Sequence, residues 1–131
     1  MIERLNPDTL HHNPAFTQAA VIPATAKLVF VGGQNGVNKE GKVVSTNLTE
    51  QTVQALKNVQ AALAAAQAGF KDVFKITVYI VQGQSINDGF AAAQQFPEMF
   101  QNPPTISVLV VAALGNPEFL VEIEAVAALP G

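Results

Sequence analysis

The chain has 131 residues, a net charge of −3 and no cysteine, and 13% of its residues are charged while 49% are hydrophobic. Its seven lysine and arginine residues are scattered and form no basic stripe, which argues against nucleic-acid binding, and the lack of cysteine excludes disulfides and thiolate chemistry. No apolar run approaches the ~20 residues of a membrane span, and no signal peptide is recognisable, so we expect a cytoplasmic protein with no membrane partner.

The low charged fraction is the most informative of these totals. An average soluble domain has roughly 25% charged residues, and a small monomer has much surface to cover with polar groups. We therefore expect one domain over residues 1–131 that buries part of its surface against copies of itself.

The N-terminal region alternates between irregular segments and short strands. Prolines and polar residues predict an irregular arm over residues 1–14. His11 and His12 are adjacent and would face opposite ways on a strand, and no third ligand is near, so we expect no metal site there. Strands are predicted over Phe16–Ile22 and Lys27–Val31.

A glycine pair, Gly32-Gly33, follows the second of these strands and is expected to end it. The pair lacks the further glycines and the lysine of a phosphate-binding loop. We expect it to let another backbone or a ligand come close.

A long helix is predicted in the middle of the chain. Asn47 and Glu50 have the spacing of a capping box, which marks its start. An apolar stripe then follows at steps of four and three residues, as in an amphipathic helix. Its members are Thr52, Leu56, Val59, Leu63, Ala66 and Phe70. Gly69 is predicted to end the helix.

A strand and a second helix come next. Val73–Val81 alternates between an apolar face and a face that carries Lys75 and Tyr79. A helix is predicted to start near Ser85 or Asn87, and Pro97 should end or kink it because proline has no amide hydrogen to donate.

Two apolar runs, Thr105–Val111 and Leu120–Ala127, are predicted to be the last strands. The first is apolar on both sides and therefore needs cover on both faces. The second alternates with a period of two, which places Glu122 and Glu124 on one face. Two such carboxylates are also typical of a solvated strand face, so a functional role requires that something cover them.

The order of elements predicts an α+β fold, in which two helices cover one face of a mixed sheet of five or six strands. The opposite face would carry Glu122 and Glu124 together with apolar side chains. An apolar patch of that size is unusual on a free surface. We therefore expect this face to pack against another subunit.

Four segments in this order and spacing resemble the Rid family, the YjgF-like reactive-intermediate deaminases. They are Val31-Gly32-Gly33-Gln34, the helix over residues 51–69, Lys75–Ile80 and Val121–Ala127 with its Glu-Ile-Glu-Ala sequence. The resemblance extends from about residue 13 to the end of the chain.

This resemblance implies a chorismate-mutase-like fold and a homotrimer with ligand clefts between adjacent subunits. It also implies cofactor-independent hydrolysis of imines or enamines to 2-oxo acids and ammonia. In the family, an arginine near the start of the penultimate strand binds the substrate carboxylate, and a glutamate of the Glu-Ile-Glu-Ala segment positions the attacking water.

The resemblance assigns site residues to this chain by position. Glu122 matches the water-positioning glutamate and is the expected catalytic residue, while Phe16 replaces a common tyrosine and Gly32 a common serine. The expected substrate-binding residues are Phe16, Gly32, Ile106, Ser107 and Glu124.

The main departure from the family is the missing arginine. Aligning Pro104–Val108 with the family pattern places Ile106 at the arginine position, and a shift of one residue would place Thr105 there. Neither side chain can form the two charge-assisted hydrogen bonds by which guanidinium binds a carboxylate. A 2-imino acid would then bring its own carboxylate near Glu122 without that counter-charge.

Three hypotheses remain open at this point. The chain could be a Rid-like protein that binds a different small molecule in the intersubunit cleft, with weak or no 2-imino acid deaminase activity. It could be an active imine or enamine deaminase on a substrate without a carboxylate, with Glu122 positioning water. It could also be a non-catalytic trimeric scaffold. No cofactor or metal is expected in any of them.

Overall fold

The computed structural model describes residues 1–131 and contains six strands and three α-helices. The strands are β1 (Glu3–Leu5), β2 (Ala19–Val21), β3 (Lys27–Gln34), β4 (Val73–Val81), β5 (Thr105–Val111) and β6 (Val121–Leu129). The helices are α1 (Leu48–Ala65), α2 (Ile86–Ala93) and α3 (Glu98–Gln101), and a 3-10 turn spans Phe70–Asp72.

The main sheet has four strands in the order β3-β6-β4-β5, so β3 and β5 are its edges. All neighbours are antiparallel except β4 and β5, which are parallel because the connection through α2 and α3 crosses over. The sheet is therefore mixed, as predicted.

The expected five or six strands in one sheet are not found. Strands β1 and β2 pair with each other in a separate antiparallel sheet, with Glu3 opposite Val21. The N-terminal arm is therefore not irregular throughout. The short run around Ala19–Val21 pairs with this arm instead of extending the main sheet, and the alternation of its residues alone could not distinguish these partners.

The helices cover one face of the main sheet and bury its apolar side chains. Val121, Ile123, Ala125 and Ala127 of β6 are each 2% exposed or less and point toward this helix-covered face. They pack with Leu56, Val59 and Leu63 of α1 and with Ile76 and Ile80 of β4. These contacts confirm the predicted inner face of β6 and the predicted stripe of α1 as far as Leu63, whereas Ala66 and Phe70 lie beyond the end of the helix.

The opposite face of the sheet, called the open face below, has no helix. Across β3, β6, β4 and β5 it carries Leu28, Phe30, Val126, Glu124, Glu122, Lys75, Thr77, Tyr79, Ser107 and Leu109. Phe30 is 74% exposed, the largest fraction among the exposed large hydrophobic residues. The predicted mixture of acidic and apolar side chains on this face is confirmed.

The start of α1 agrees with its capping signal, whereas its end does not. The Asn47 side chain accepts a hydrogen bond from the Glu50 amide at 3.0 Å. The helix ends at Ala65, before Gly69, and Gln67 adopts the left-handed conformation with φ 61°. The amides of Gln67 and Ala68 donate to carbonyls of the last turn, as in a Schellman motif.

Pro97 separates two helices. The predicted second helix, α2, ends at Ala93, and Pro97 immediately precedes α3, which was not predicted. Phe96 packs edge-on against Phe70, with ring centroids 5.9 Å apart, and this contact fixes the break against the 3-10 turn. None of the helices combines the length and hydropathy needed to cross a membrane.

A buried glutamine joins α1 to two loops. Gln51 is 0% exposed. Its Nε2 donates to the carbonyls of Ser45 at 2.8 Å and Glu118 at 2.9 Å, and its Oε1 accepts from the Leu120 amide at 2.9 Å. All three groups belong to the chain just before α1 or just before β6, so Gln51 sets where β6 begins.

We expect Gln51→Ala to lower the free energy of unfolding by about 3 kcal/mol, because it leaves buried backbone groups without partners. Urea denaturation at one fixed protein concentration measures this loss. Gln60→Ala is the matched control, since Gln60 is an exposed glutamine of the same helix, and its effect should stay within about 0.5 kcal/mol. Equal effects of the two substitutions would contradict the role of the buried side chain.

Candidate functional site

Strand β3 continues through the glycine pair instead of ending there. Its register against β6 shifts between Val31 and Gln34, so Gly32 and Gly33 form a β-bulge. A side chain added at Gly33 would overlap the Glu122 carboxyl group, with Cδ at 2.7 Å and Cγ at 2.9 Å from the added Cβ. The expected close approach is found at Gly33 only, and the approaching group is the Glu122 side chain instead of another backbone or a ligand.

The Glu122 side chain is held on its other side by Asn35. The Asn35 Nδ2 donates to Glu122 Oε1 at 3.3 Å and to the Val121 carbonyl at 2.9 Å. The Asn35 carbonyl in turn accepts from Asn58 Nδ2 of α1 at 3.1 Å. Glu122 thus lies half-buried at the β3 edge, between a glycine and an amide donor.

Glu124 has a different partner on the same face. The Tyr79 hydroxyl donates to Glu124 Oε1 at 2.8 Å. This hydrogen bond raises the pKa of Tyr79, and desolvation and the negative charges of Glu124 and Glu122 act in the same direction. The two glutamates therefore differ in their partners, because Glu124 accepts from a phenol while Glu122 accepts from an amide.

Ser107 and Glu124 lie in the same row of the sheet, with one residue between them. Ser107 pairs with Thr77, which pairs with Glu124, so the three residues form one row across β5, β4 and β6 on the open face. Ser107 is exposed, and Gly32 has no heavy atom within 4 Å of the position of an added side chain. Lys75 lies further along the same face, opposite Val126.

Ile106 and Phe16 lie elsewhere, in a cavity on the helix-covered face. Ile106 pairs with Ile76, which is 2% exposed and belongs to the core. The cavity has a volume of about 280 Å³ and lies between α2, β4 and β5. Phe16 reaches it because the amide of Thr17 donates to the Pro104 carbonyl at 2.9 Å, which fixes this segment beside the start of β5.

The expected site residues therefore form two groups in one chain. Phe16 and Ile106 line the helix-side cavity, while Glu122, Glu124 and Ser107 lie on the open face. Within a single chain, Ile106 and Glu122 lie on opposite faces of the sheet. Glu122 is in register with Tyr79 and Ile106 with Ile76, and residues three apart on β4 point to opposite faces.

Sequence reasoning missed Asn35 as a contact of the candidate site. Asn35 lies in the segment Gln34-Asn35-Gly36, which resembles an ordinary turn. Its contact with Glu122 joins residues 87 positions apart, so no local pattern reveals it.

The chemistry available to these groups is narrow. No cluster of three or more histidine, cysteine, aspartate or glutamate side chains could hold a metal ion. The cavity has no charged lining residue. On the open face, Glu122 and Glu124 each have a second carboxylate oxygen that can accept a proton or orient water. The arrangement therefore suits the binding of uncharged groups in the cavity and acid–base chemistry at the carboxylates of the open face.

Comparison with known proteins connects most of the chain to one family. A family model described as endoribonuclease L-PSP matches residues 8–129. The chain is 35% identical to a rat 2-iminobutanoate/2-iminopropanoate deaminase over 115 residues, covering 86% of this chain and 79% of that protein. It is 33% identical to a RutC family protein of Pyrococcus horikoshii over 100 residues, covering 76% of this chain and 77% of that protein.

Solved structures show the same fold. A crystal structure described as a protein of unknown function of the conserved Rid family from Yersinia pestis has a TM-score of 0.85 at 30% identity, over 98% of both chains. The structure of E. coli TdcF with bound serine has a TM-score of 0.70 at 27% identity, over 90% of this chain and 96% of that one.

The glycine pair allows a matched test of the Glu122 position. Gly33→Ala should displace the Glu122 carboxylate and break its hydrogen bond to Asn35, whereas Gly32→Ala should not, because nothing lies near its added methyl group. The side-chain amide signals of Asn35 in ¹H–¹⁵N spectra report this displacement. Unchanged signals in Gly33→Ala, or equal changes in both variants, would contradict the described contact.

Tyr79 is the only tyrosine, so its ionisation can be followed by ultraviolet absorbance. We expect its midpoint to lie above pH 10.0, the ordinary value, because the phenolate would lose its bond to Glu124 and face two carboxylates. Glu124→Gln should lower this midpoint, while the exposed Glu118→Gln should leave it unchanged. A midpoint unaffected by Glu124→Gln would be inconsistent with the Tyr79–Glu124 contact.

Proposed function

Because this chain belongs to the Rid family, the family of the matching endoribonuclease L-PSP model, we propose that it binds a small molecule in a cleft between subunits and has weak or no 2-imino acid deaminase activity. The observation that carries this proposal is a cavity without any charged lining residue, which includes Ile106. The resemblance assigns Ile106 to the position of the family's carboxylate-binding arginine.

A homotrimer with the chorismate-mutase-like arrangement is part of this proposal. Its support is the open face, where Leu28, Phe30 and Leu109 are 47%, 74% and 43% exposed. A sheet face with such side chains gains from being covered. In a trimer the three open faces would pack toward a common axis, and the helices would remain outside.

The separation of Ile106 and Glu122 also favours an intersubunit site. The two residues point to opposite faces of one sheet, so they can contact one ligand only if they come from different subunits. Glu122 lies near the β3 edge and Ile106 on the β5 edge, which are the two sheet edges that could meet another copy. We propose that the cavity of one subunit opens toward Glu122 of the partner subunit.

The replacement of arginine by Ile106 explains the expected low activity on 2-imino acids. A substrate carboxylate would lose a bidentate partner. It would also meet the Glu122 charge, and at ~5 Å with an effective dielectric of ~20 this repulsion is on the order of 3 kcal/mol. We therefore expect this chain to hydrolyse 2-imino acids more slowly than the rat deaminase.

An alternative function is hydrolysis of an imine or enamine that lacks a carboxylate, with Glu122 positioning the water. The contact with Asn35 favours this alternative, because it fixes one oxygen of Glu122 and leaves the other available. We propose no endoribonuclease activity for this chain, because its basic residues form no stripe along the sequence that could bind RNA phosphates.

The proposal predicts slow hydrolysis of 2-iminopropanoate supplied by an amino-acid oxidase. The rate should be about 100-fold or more below that of the rat deaminase, which corresponds to the ~3 kcal/mol given above. Ile106→Arg should raise the rate, because it restores a guanidinium at the cavity. Ammonia release measures both rates.

Two controls belong to this assay. Ile106→Met keeps the site apolar and should not raise the rate. Glu122→Gln should abolish any turnover of a carboxylate-free imine, and the exposed Glu118→Gln should not. A wild-type rate equal to that of the rat deaminase, or a protein that sediments as a monomer, would contradict the proposal.

A further inference from the structure

The helix-side cavity is unusually apolar for a ligand site. Fifteen of its 18 lining residues are hydrophobic, and the other three are Asn13, Thr52 and Gly89. An engineered cavity of about 150 Å³ lined by similar residues binds benzene. With about 280 Å³, this cavity has space for a larger ring system.

The cavity has an entrance from solvent. Ile86, Phe90 and Val108 are lining residues, yet they are 48%, 47% and 47% exposed. Ile86 and Phe90 belong to α2, and Val108 belongs to the edge strand β5. A ligand can therefore enter between α2 and β5 without opening the core.

The polar groups of the cavity are few and mostly engaged. The Thr52 hydroxyl donates to the Leu48 carbonyl at 2.7 Å. The Asn13 Oδ1 accepts from the Ala15 amide at 2.8 Å, which leaves its Nδ2 as a donor near the rim. A ligand can thus present one acceptor to Asn13, and its remaining surface must be apolar.

A negatively charged ligand is disfavoured here by desolvation. A carboxylate in this cavity would lose water and gain no ion pair, because no lining residue carries a charge. Aromatic rings fit better, since Phe16, Phe90 and Phe100 supply ring faces and edges against which another ring can pack.

We propose that the cavity binds an uncharged mono- or bicyclic aromatic molecule with one hydrogen-bond acceptor. This inference rests on the proposed function, because it names the ligand class for the same cleft. The proposed ligand is uncharged, whereas the 2-imino acids named for the related deaminases carry a carboxylate.

The test uses coumarin, which is uncharged and bicyclic and has a carbonyl acceptor, against coumarin-3-carboxylate, which adds one negative charge to the same rings. Titration of ¹⁵N-labelled wild-type protein, in its native assembly, should shift the amides of residues 86–93 and 105–108. The carboxylate should bind at least about tenfold more weakly, which is the effect of an unpaired buried charge.

Gly89 supplies a matched pair of variants. A Cβ at Gly89 would meet Ile80 Cδ1 at 3.6 Å and Thr52 Oγ1 at 4.0 Å, so a side chain fits at its base and extends into the cavity. Gly89→Leu should weaken coumarin binding at least about tenfold, whereas Gly89→Ala should keep it within about twofold. Both variants should fold, because glycine is the poorer residue in a helix, and thermal unfolding checks this.

Three results would overturn the inference. They are no coumarin-dependent shift in the wild-type protein, equal affinity for the two coumarins, and unchanged affinity in a folded Gly89→Leu variant. The deaminase assay is independent of all three results. A failed titration would overturn the ligand class but not the low 2-imino acid deaminase activity, and a high deaminase activity would overturn the proposed function but not the result of the titration.

Discussion

The position of Glu122 and Asn35 depends on how strand β6 lies against helix α1, and the buried Gln51 side chain fixes this arrangement. Its three hydrogen bonds join the helix to the chain before α1 and to the chain before β6. An added Cβ at Gly36 would lie only 2.6 Å from the Gln51 Cα, so the Gly36 backbone passes directly against the helix. Gln51 and the neighbouring Asn58 thus bring Asn35 into contact with Glu122.

This arrangement divides one sheet into two chemically different surfaces. On the helix-covered side, the cavity is apolar and uncharged, and Ile106 belongs to it. On the open side, Glu122 and Glu124 lie among hydroxyl and apolar groups, and one of them is engaged by Tyr79. A subunit alone keeps these surfaces apart, so any chemistry that needs both requires a second copy of the chain.

Local patterns predicted several elements closely. The bounds of β4 and β5 agree with their apolar runs, and Asn47 begins α1 as its capping signal indicates. The patterns failed where a distant partner decides the outcome. Strand β1 forms because it pairs with Ala19–Val21. Helix α1 is terminated by Gln67 in the left-handed conformation, which glycine usually adopts at helix ends.

The candidate site was predictable in its residue types but not in its geometry. The alternation of β6 correctly placed both glutamates on one face. The alternation of β5 could not show which of its faces matches that of β6, because the intervening strand β4 determines this through its register with both. The separation of Ile106 from Glu122 follows from this register.

The edge strand β5 has a consequence for the solubility of the protein. Its outer edge leaves unpaired backbone amides and carbonyls, and Val108 and Val110 beside them are 47% and 57% exposed. The strand contains no charged residue and no proline, which are the usual protections against edge-to-edge aggregation. A newly made copy is therefore at risk of β-sheet aggregation through this edge, and its solubility in the cell depends on how quickly the edge is covered.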